Sequence, residues 1–313
     1  VSNTGADSTY FELPEVYLDR LIVPNDFIYN RCQEEWKSTE ETYRNHHFYQ
    51  ENPHLIKTQD EIFESVDSEF FKFKKSAQKE VNYLVKEFEM KKSAGAYARA
   101  TTARTGVLDT AKLHTYKFNE DLFKKVSIIP DGKNHGLVFL LDWSGSMHQV
   151  LLDTLKQLYN LLWFCKKVQI PFDVYAFTNE FPYGDMTENG QRWETYKKEK
   201  NKADFPDWFS LMHLFTSSTR SKELENQMKD IFRVVSAMDY NSRTTYSVPQ
   251  EMRLSGTPLN EAIVCLHQIL PKFKKQHNLQ KVQCVILTDG EAQPMRINKE
   301  VQRPWEEEPY LGT

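Results

Sequence analysis

The chain predicts an α/β fold, a doubly wound and mostly parallel sheet preceded by a mainly helical N-terminal region. Three observations carry this. From residue 135 onward short apolar runs alternate with helical stretches, the pattern of strand–helix units that build a parallel sheet. The run Val282 to Leu287 reads as a strand covered on both faces. The polar turns that follow the strands hold the chemistry-bearing residues, and in open α/β sheets ligands bind at those carboxyl ends.

Residues 1–66 are polar and broken by Pro14, Pro24 and Pro53, with a helical piece around Asp26 to Thr42. His46, His47 and His54 lie close in sequence, but the adjacent pair would point to different helix faces, so a surface or packing role is the better reading. Residues 67–130 form a helical and basic connecting region. Phe70, Phe73, Ala77, Val81, Leu84, Val85 and Phe88 recur at helical spacing over Ser68 to Lys92, which predicts a Phe-rich stripe packed on the next domain. Lys91, Lys92, Arg99, Arg104, Lys112, Lys117, Lys124 and Lys125 then form a basic run, read as a solvated face or a patch for an acidic partner. The aromatics Tyr97, Tyr116 and Phe118 between them keep single-stranded nucleic acid as a minor alternative.

The third region, 131–313, carries the α/β pattern. Strands are expected at His135 to Leu141, Pro171 to Phe177 and Val282 to Leu287, with an edge strand at Phe209 to Thr216. Helices are expected at Met147 to Val168, Lys222 to Met238 and Leu259 to Phe273, with Pro258 at a first turn where its missing N–H costs nothing. Residues 178 to 205 read as a long polar insertion, and the segment around Arg303-Pro304-Trp305 as a Pro-broken loop. Leu158 and Ile286 are both expected in the core. The sheet is expected to lack its last strands, leaving an apolar edge exposed.

Leu141-Asp142-Trp143-Ser144-Gly145-Ser146-Met147 follows the first of these strands. Asp-x-Ser-x-Ser on one turn gathers a carboxylate and two hydroxyls, an all-oxygen set suited to a hard cation such as Mg²⁺. Taken alone, such residues more often cap a helix. Two later segments strengthen the metal reading: Ser255-Gly256-Thr257-Pro258-Leu259 opens a helix, and Leu287-Thr288-Asp289-Gly290 ends a strand. Glu291 is read as solvated and His148 as a rim residue, since imidazole suits Mg²⁺ poorly.

Composition excludes little: 313 residues, 40% hydrophobic, 27% charged and a net charge of −4 give no global nucleic-acid footprint. No apolar run approaches the ~18 residues of a membrane helix. The four cysteines, Cys32, Cys165, Cys265 and Cys284, lack metal-site spacing; Cys165 and Cys265 in apolar helical patterns and Cys284 in a strand read as free, buried thiols, which favours a reducing compartment. Phosphate-loop, dinucleotide-binding, zinc-protease and nucleophile-elbow motifs are all missing, so no intrinsic catalysis is expected.

On these motifs the chain resembles the von Willebrand factor A (VWA) family, with Asp142, Ser144, Ser146, Thr257 and Asp289 matching its metal-ion-dependent adhesion site. The resemblance implies a Rossmann-like sheet in which Ser144, Ser146 and Thr257 hold Mg²⁺ or Mn²⁺ directly or nearly so. Asp142 and Asp289 would act largely through water, and an acidic residue of a partner would complete the metal shell. Gly106 to Lys117, the Ser-Gly-Ser-Met ending and Trp305-Glu306 to Tyr310 are similar to the CobT group, the VWA-bearing subunit of aerobic cobaltochelatase and its relatives, tailed-phage ones included. That likeness implies a cytoplasmic partner for a ring-forming AAA+ ATPase of the CobS/MoxR type, in a hetero-oligomeric complex. Literal cobalt insertion for cobalamin synthesis is the alternative. An adhesion module, which would need a leader upstream of Val1, and a nucleic-acid-binding module are further ones.

Overall fold

The computed structural model describes residues 12–45, 47–52, 57–99, 101–115, 117–118, 122–128, 135–180, 195–206, 208–239, 246–302, 305 and 309–312. In chain order, the N-terminal part gives α1 (Leu18–Leu21), β1 (Ile22–Val23), α2 (Asn25–Asn45), α3 (His47–Glu51), α4 (Gln59–Arg99), β2 (Thr101–Leu108) and β3 (Phe123–Ile128). There follow β4 (His135–Asp142), α5 (Leu151–Val168), β5 (Phe172–Thr178), β6 (Ala203–Asp204), β7 (Ser210–Thr216) and α6 (Ser221–Met238). The chain goes on through α7 (Leu259–Gln276), β8 (Lys281–Leu287), β9 (Arg296–Ile297), β10 (Lys299–Val301) and β11 (Tyr310–Gly312).

Five strands form the main sheet in the order β1-β7-β5-β4-β8. β5 and β8 run parallel to β4 on either side of it, β7 runs antiparallel to β5, and β1 parallel to β7. The protein is thus α/β with a mostly parallel mixed sheet. Side chains alternate across the pleat, so β4 serves two cores at once. Phe139 and Leu141 pack on the face covered by α5, α6, α4 and α2, while Val138 and Leu140 pack on the face covered by α7. Every residue of β5 is buried, as a central strand with helices on both faces requires.

β8 departs from expectation. Among the described residues it pairs only with β4, and its residues alternate between exposed and half-buried, with Ile286 38% exposed. A strand at a sheet edge has no neighbour to cover its outer flank. β7, expected at an edge, is interior because Ile22 and Val23 pair with Leu211 and Met212. The segment read as a polar insertion also gives Tyr196 and Phe205 to the α7-side core, while residues 181–194 lie outside the described part.

The long helix α4 buries most of its predicted stripe: Phe70, Ala77 and Val81 are buried in the cluster that holds Leu155, Leu158 and Phe232 of α5 and α6, Phe73 and Val85 pack against it, and Leu84 is exposed. It continues without interruption past Gly95. α2 joins the same core through Ile28, Cys32 and Trp36, and the Tyr29 hydroxyl donates to the Leu214 carbonyl at 2.9 Å. His47 faces Glu51 at 3.6 Å, while His46 and His54 lie outside the described residues. β2 and β3 pair as an antiparallel hairpin with a bulge between Arg104 and Leu108.

Helix ends follow local chemistry. α5 stops at Gln169, whose left-handed φ of 59° turns the Ile170 N–H back onto the Cys165 carbonyl at 2.9 Å. Lys166 in its last turn donates to the carbonyls of Ser217 and Thr219 at 2.6 and 2.7 Å, which ties α5 to the end of β7. Gly136 opens β4 beneath α7, and a Cβ there would stand 2.4 Å from Leu279 Cδ1 and 2.7 Å from Phe273 Cε1. All four cysteines are free, three of them buried, and burial pushes each thiol up, Cys165 to about 12. No helix among the described residues is long and apolar enough to cross a membrane.

Candidate metal centre

Because β4, β5 and β8 are parallel, their carboxyl ends lie together, and the loops leaving them meet. β4 ends at Asp142, after which Ser144 forms a bridge with Ser255 of the loop before α7. The Gly145 N–H donates to the Ser255 carbonyl at 2.7 Å, and the Ser255 N–H to the Trp143 carbonyl at 3.3 Å. The buried Trp143 indole donates to the Met252 carbonyl at 2.7 Å. Main chain thus fixes the first and second metal loops to each other before any side chain acts.

The side chains form a connected oxygen cluster. Ser144 Oγ and Ser146 Oγ are 3.0 Å apart, and Ser146 Oγ donates to Asp289 Oδ1 at 2.9 Å. The Thr288 hydroxyl donates to Asp142 Oδ2 at 2.6 Å. Asp142 is fully buried and Ser144 nearly so, whereas Ser146 and Asp289 are exposed, so the cluster opens toward solvent on one side. Thr257 is half-buried two residues past Ser255, and its carbonyl accepts from the N–H groups of Leu259 and Gln293 at 2.9 and 3.1 Å. Ser144, Ser146 and Asp289 are therefore linked through side chains, Asp142 lies beside them held by Thr288, and Thr257 belongs to the loop that bridges to Ser144.

One atom stands out. Asp142 Oδ1 is buried and has no hydrogen-bond partner. Burial pushes this carboxyl above its ordinary value and the Asp289 charge adds to that, while bonds from Thr288 and Ser144 pull it down. A buried carboxylate oxygen with nothing to answer it is costly unless a cation does so. Hydroxyl and carboxylate oxygens are the donors a hard cation selects. Among the described residues no group of three or more His, Cys, Asp or Glu side chains gathers as a metal site. The cluster has only two such residues and draws its other oxygens from hydroxyls.

Residues outside the sequence-based set complete the surroundings. Thr288 holds Asp142, and the residues just past β5 brace the second loop: Asn179 Oδ1 accepts from the Gly256 N–H at 3.0 Å, and Ser255 Oγ donates to Glu180 Oε1 at 3.1 Å. Their position directly after a parallel strand was the available signal. A Cβ on Gly256 would lie 2.7 Å from Gln293 Nε2 and 2.9 Å from Asn179 Nδ2, so a larger residue would displace those two side chains. Glu291 is exposed, and His148 Nδ1 lies 2.9 Å from the Gly145 carbonyl at the rim. Compared with known proteins, the chain matches no family model, no curated protein and no solved structure.

Proposed function

We propose that this chain is a VWA-type module that binds Mg²⁺, or Mn²⁺, and uses the ion to capture a carboxylate of a protein partner. The observation that carries the reading is the partnerless Oδ1 of buried Asp142, set beside Ser144, Ser146 and Asp289 at the carboxyl ends of parallel strands. Ser144, Ser146 and Thr257 would hold the ion most closely, with Asp142 and Asp289 behind them. With its carboxylates in an outer role the ion keeps its positive character, which favours an Asp or Glu brought by a partner.

The sheet order supports a doubly wound arrangement of the VWA kind, in which β4 and β8 flank the site and β7, with β1 beside it, runs opposite to the other three strands. The choice of partner rests on the sequence likeness to the CobT group: an AAA+ ATPase of the CobS/MoxR type, whose hydrolysis this chain would couple to a client. Cobalt chelation is the second reading, favoured by that likeness alone. A pull-down with the whole chain from native lysate, in Mg²⁺ and then in EDTA, tests the assignment. Recovery of an AAA+ ATPase in Mg²⁺ alone is expected. Equal recovery in EDTA would refute the metal bridge, and recovery in neither would refute the partner.

A further inference from the structure

A cavity of about 610 Å³ adjoins the metal loops and plays no part in holding an ion. Asn179 and Gln293 line it, and the same two side chains brace Gly256, so cavity and metal loop share a wall. Its chemistry is acidic. Glu261, in the first turn of α7, is 3% exposed, and its Oε2 is buried with no hydrogen-bond partner. Asp204 also lines the cavity, and the Tyr196 hydroxyl donates to it. Arg296 is the lone cationic side chain among the described lining residues, and no ion pair joins it to either acid among the described residues. Trp208 stands at the wall, 53% exposed, a flat apolar surface beside the acids.

We propose that this cavity is a subsite for an aliphatic ammonium or guanidinium group, the side chain of a lysine or arginine on the partner segment that places its carboxylate at the metal. Three features converge on a long basic side chain. The buried Glu261 oxygen needs a donor, and a charge-assisted bond is the strongest it can gain. Two acids against one base leave an excess of acidic groups around the cavity. Trp208 offers its ring to the methylene stem or to the cation. Only the coupling to the carboxylate rests on the metal reading; the cation site itself does not.

The test has two arms on the whole chain. In the first, butylammonium and n-butanol are titrated in EDTA with ligand-observed NMR. Saturable binding of butylammonium but not butanol is expected, weakened roughly tenfold or more in Glu261→Gln, which keeps the side-chain volume. Binding of both compounds alike, of neither, or undiminished binding in Glu261→Gln would overturn the proposal. Circular dichroism melting of the variant guards against misfolding, and Trp208→Ala, on the exposed wall, serves as the second variant.

The second arm uses fluorescein-labelled peptides with one Asp and one Lys, spaced one to six residues apart, read by anisotropy in Mg²⁺. At the best spacing, wild type should bind the Lys peptide about tenfold more tightly than its acetyl-lysine counterpart, and Glu261→Gln should lose that preference. Glu261→Gln should keep its Mg²⁺-dependent binding of the peptide whose Lys is acetylated. Equal binding of Lys and acetyl-lysine peptides by wild type would refute the coupled subsite and leave the metal reading intact. Butylammonium binding without any Mg²⁺-dependent peptide binding would refute the metal reading and the coupling, and leave the cation site standing.

Discussion

Arg233 is 9% exposed and faces two carboxylates. Its Nε and Nη2 donate to Asp67 at 2.8 and 2.6 Å, and its Nη1 to Asp230 at 3.0 Å. The guanidinium also lies 3.9 Å from the Phe63 ring centroid, and Gln33 donates to the other Asp230 oxygen at 3.0 Å. One buried cation therefore joins α2, α4 and α6. Arg233→Ala would leave buried Asp230 without its guanidinium, while Asp67 keeps Lys229 at 3.7 Å, and should cost about 3–5 kcal/mol in urea unfolding. Asp230 gives a pH signature: burial pushes its carboxyl from 3.8 to about 6, against the pull of Arg233 and Lys229. A group raised in this way holds its proton more tightly in the folded protein than in the unfolded chain. Its contribution is therefore fully present below about pH 4 and is lost as pH rises through about 6, a change on the order of 3 kcal/mol. Wild type should lose stability between pH 4 and pH 7, and Asp230→Asn should flatten that part of the profile in denaturant melts.

At the scale of elements, burial separates residues that the sequence treats alike. Leu158 on α5 is fully buried, so Leu158→Ala should cost about 2–5 kcal/mol. Ile286 on β8 is 38% exposed, so Ile286→Ala should cost about 1 kcal/mol or less, contrary to its expected core role. Chemical unfolding of the two variants checks both values. The strands β4, β5 and β8 and the helices α5, α6 and α7 were legible because their apolar residues recur at strand or helix period over a long enough run. β1 was not, since two residues between Leu21 and Pro24 leave no period to read. Its absence from that reading is what made β7 look like an edge. Tyr196 and Phe205 were missed for a related reason: they are isolated aromatics in a Lys/Glu-rich stretch, and only tertiary contact brings them to the α7 side.

Across the whole molecule the N-terminal helices and the sheet share one continuous core, in which Trp36 and Phe70 pack in the same cluster as Phe139 and Phe232. The candidate metal residues were legible as three short segments, because Asp-x-Ser-x-Ser, Ser-Gly-Thr-Pro and Thr-Asp-Gly each fall at a strand–helix junction in one chain. Their supports Asn179, Glu180 and Gln293 were not, because no pattern in the chain reveals which loops converge. The most direct test of the metal reading is a calorimetric titration of Mg²⁺ into the whole chain, run beside Asp142→Ala. One saturable site in wild type is the predicted result, with a melting temperature that rises with Mg²⁺ by mass action. Asp142→Ala should stay folded, lose the site, and melt without regard to Mg²⁺, since the substitution removes a buried carboxylate with one unpartnered oxygen as well as a ligand position. Equal heats in both proteins, or no saturable site in the wild type, would contradict it.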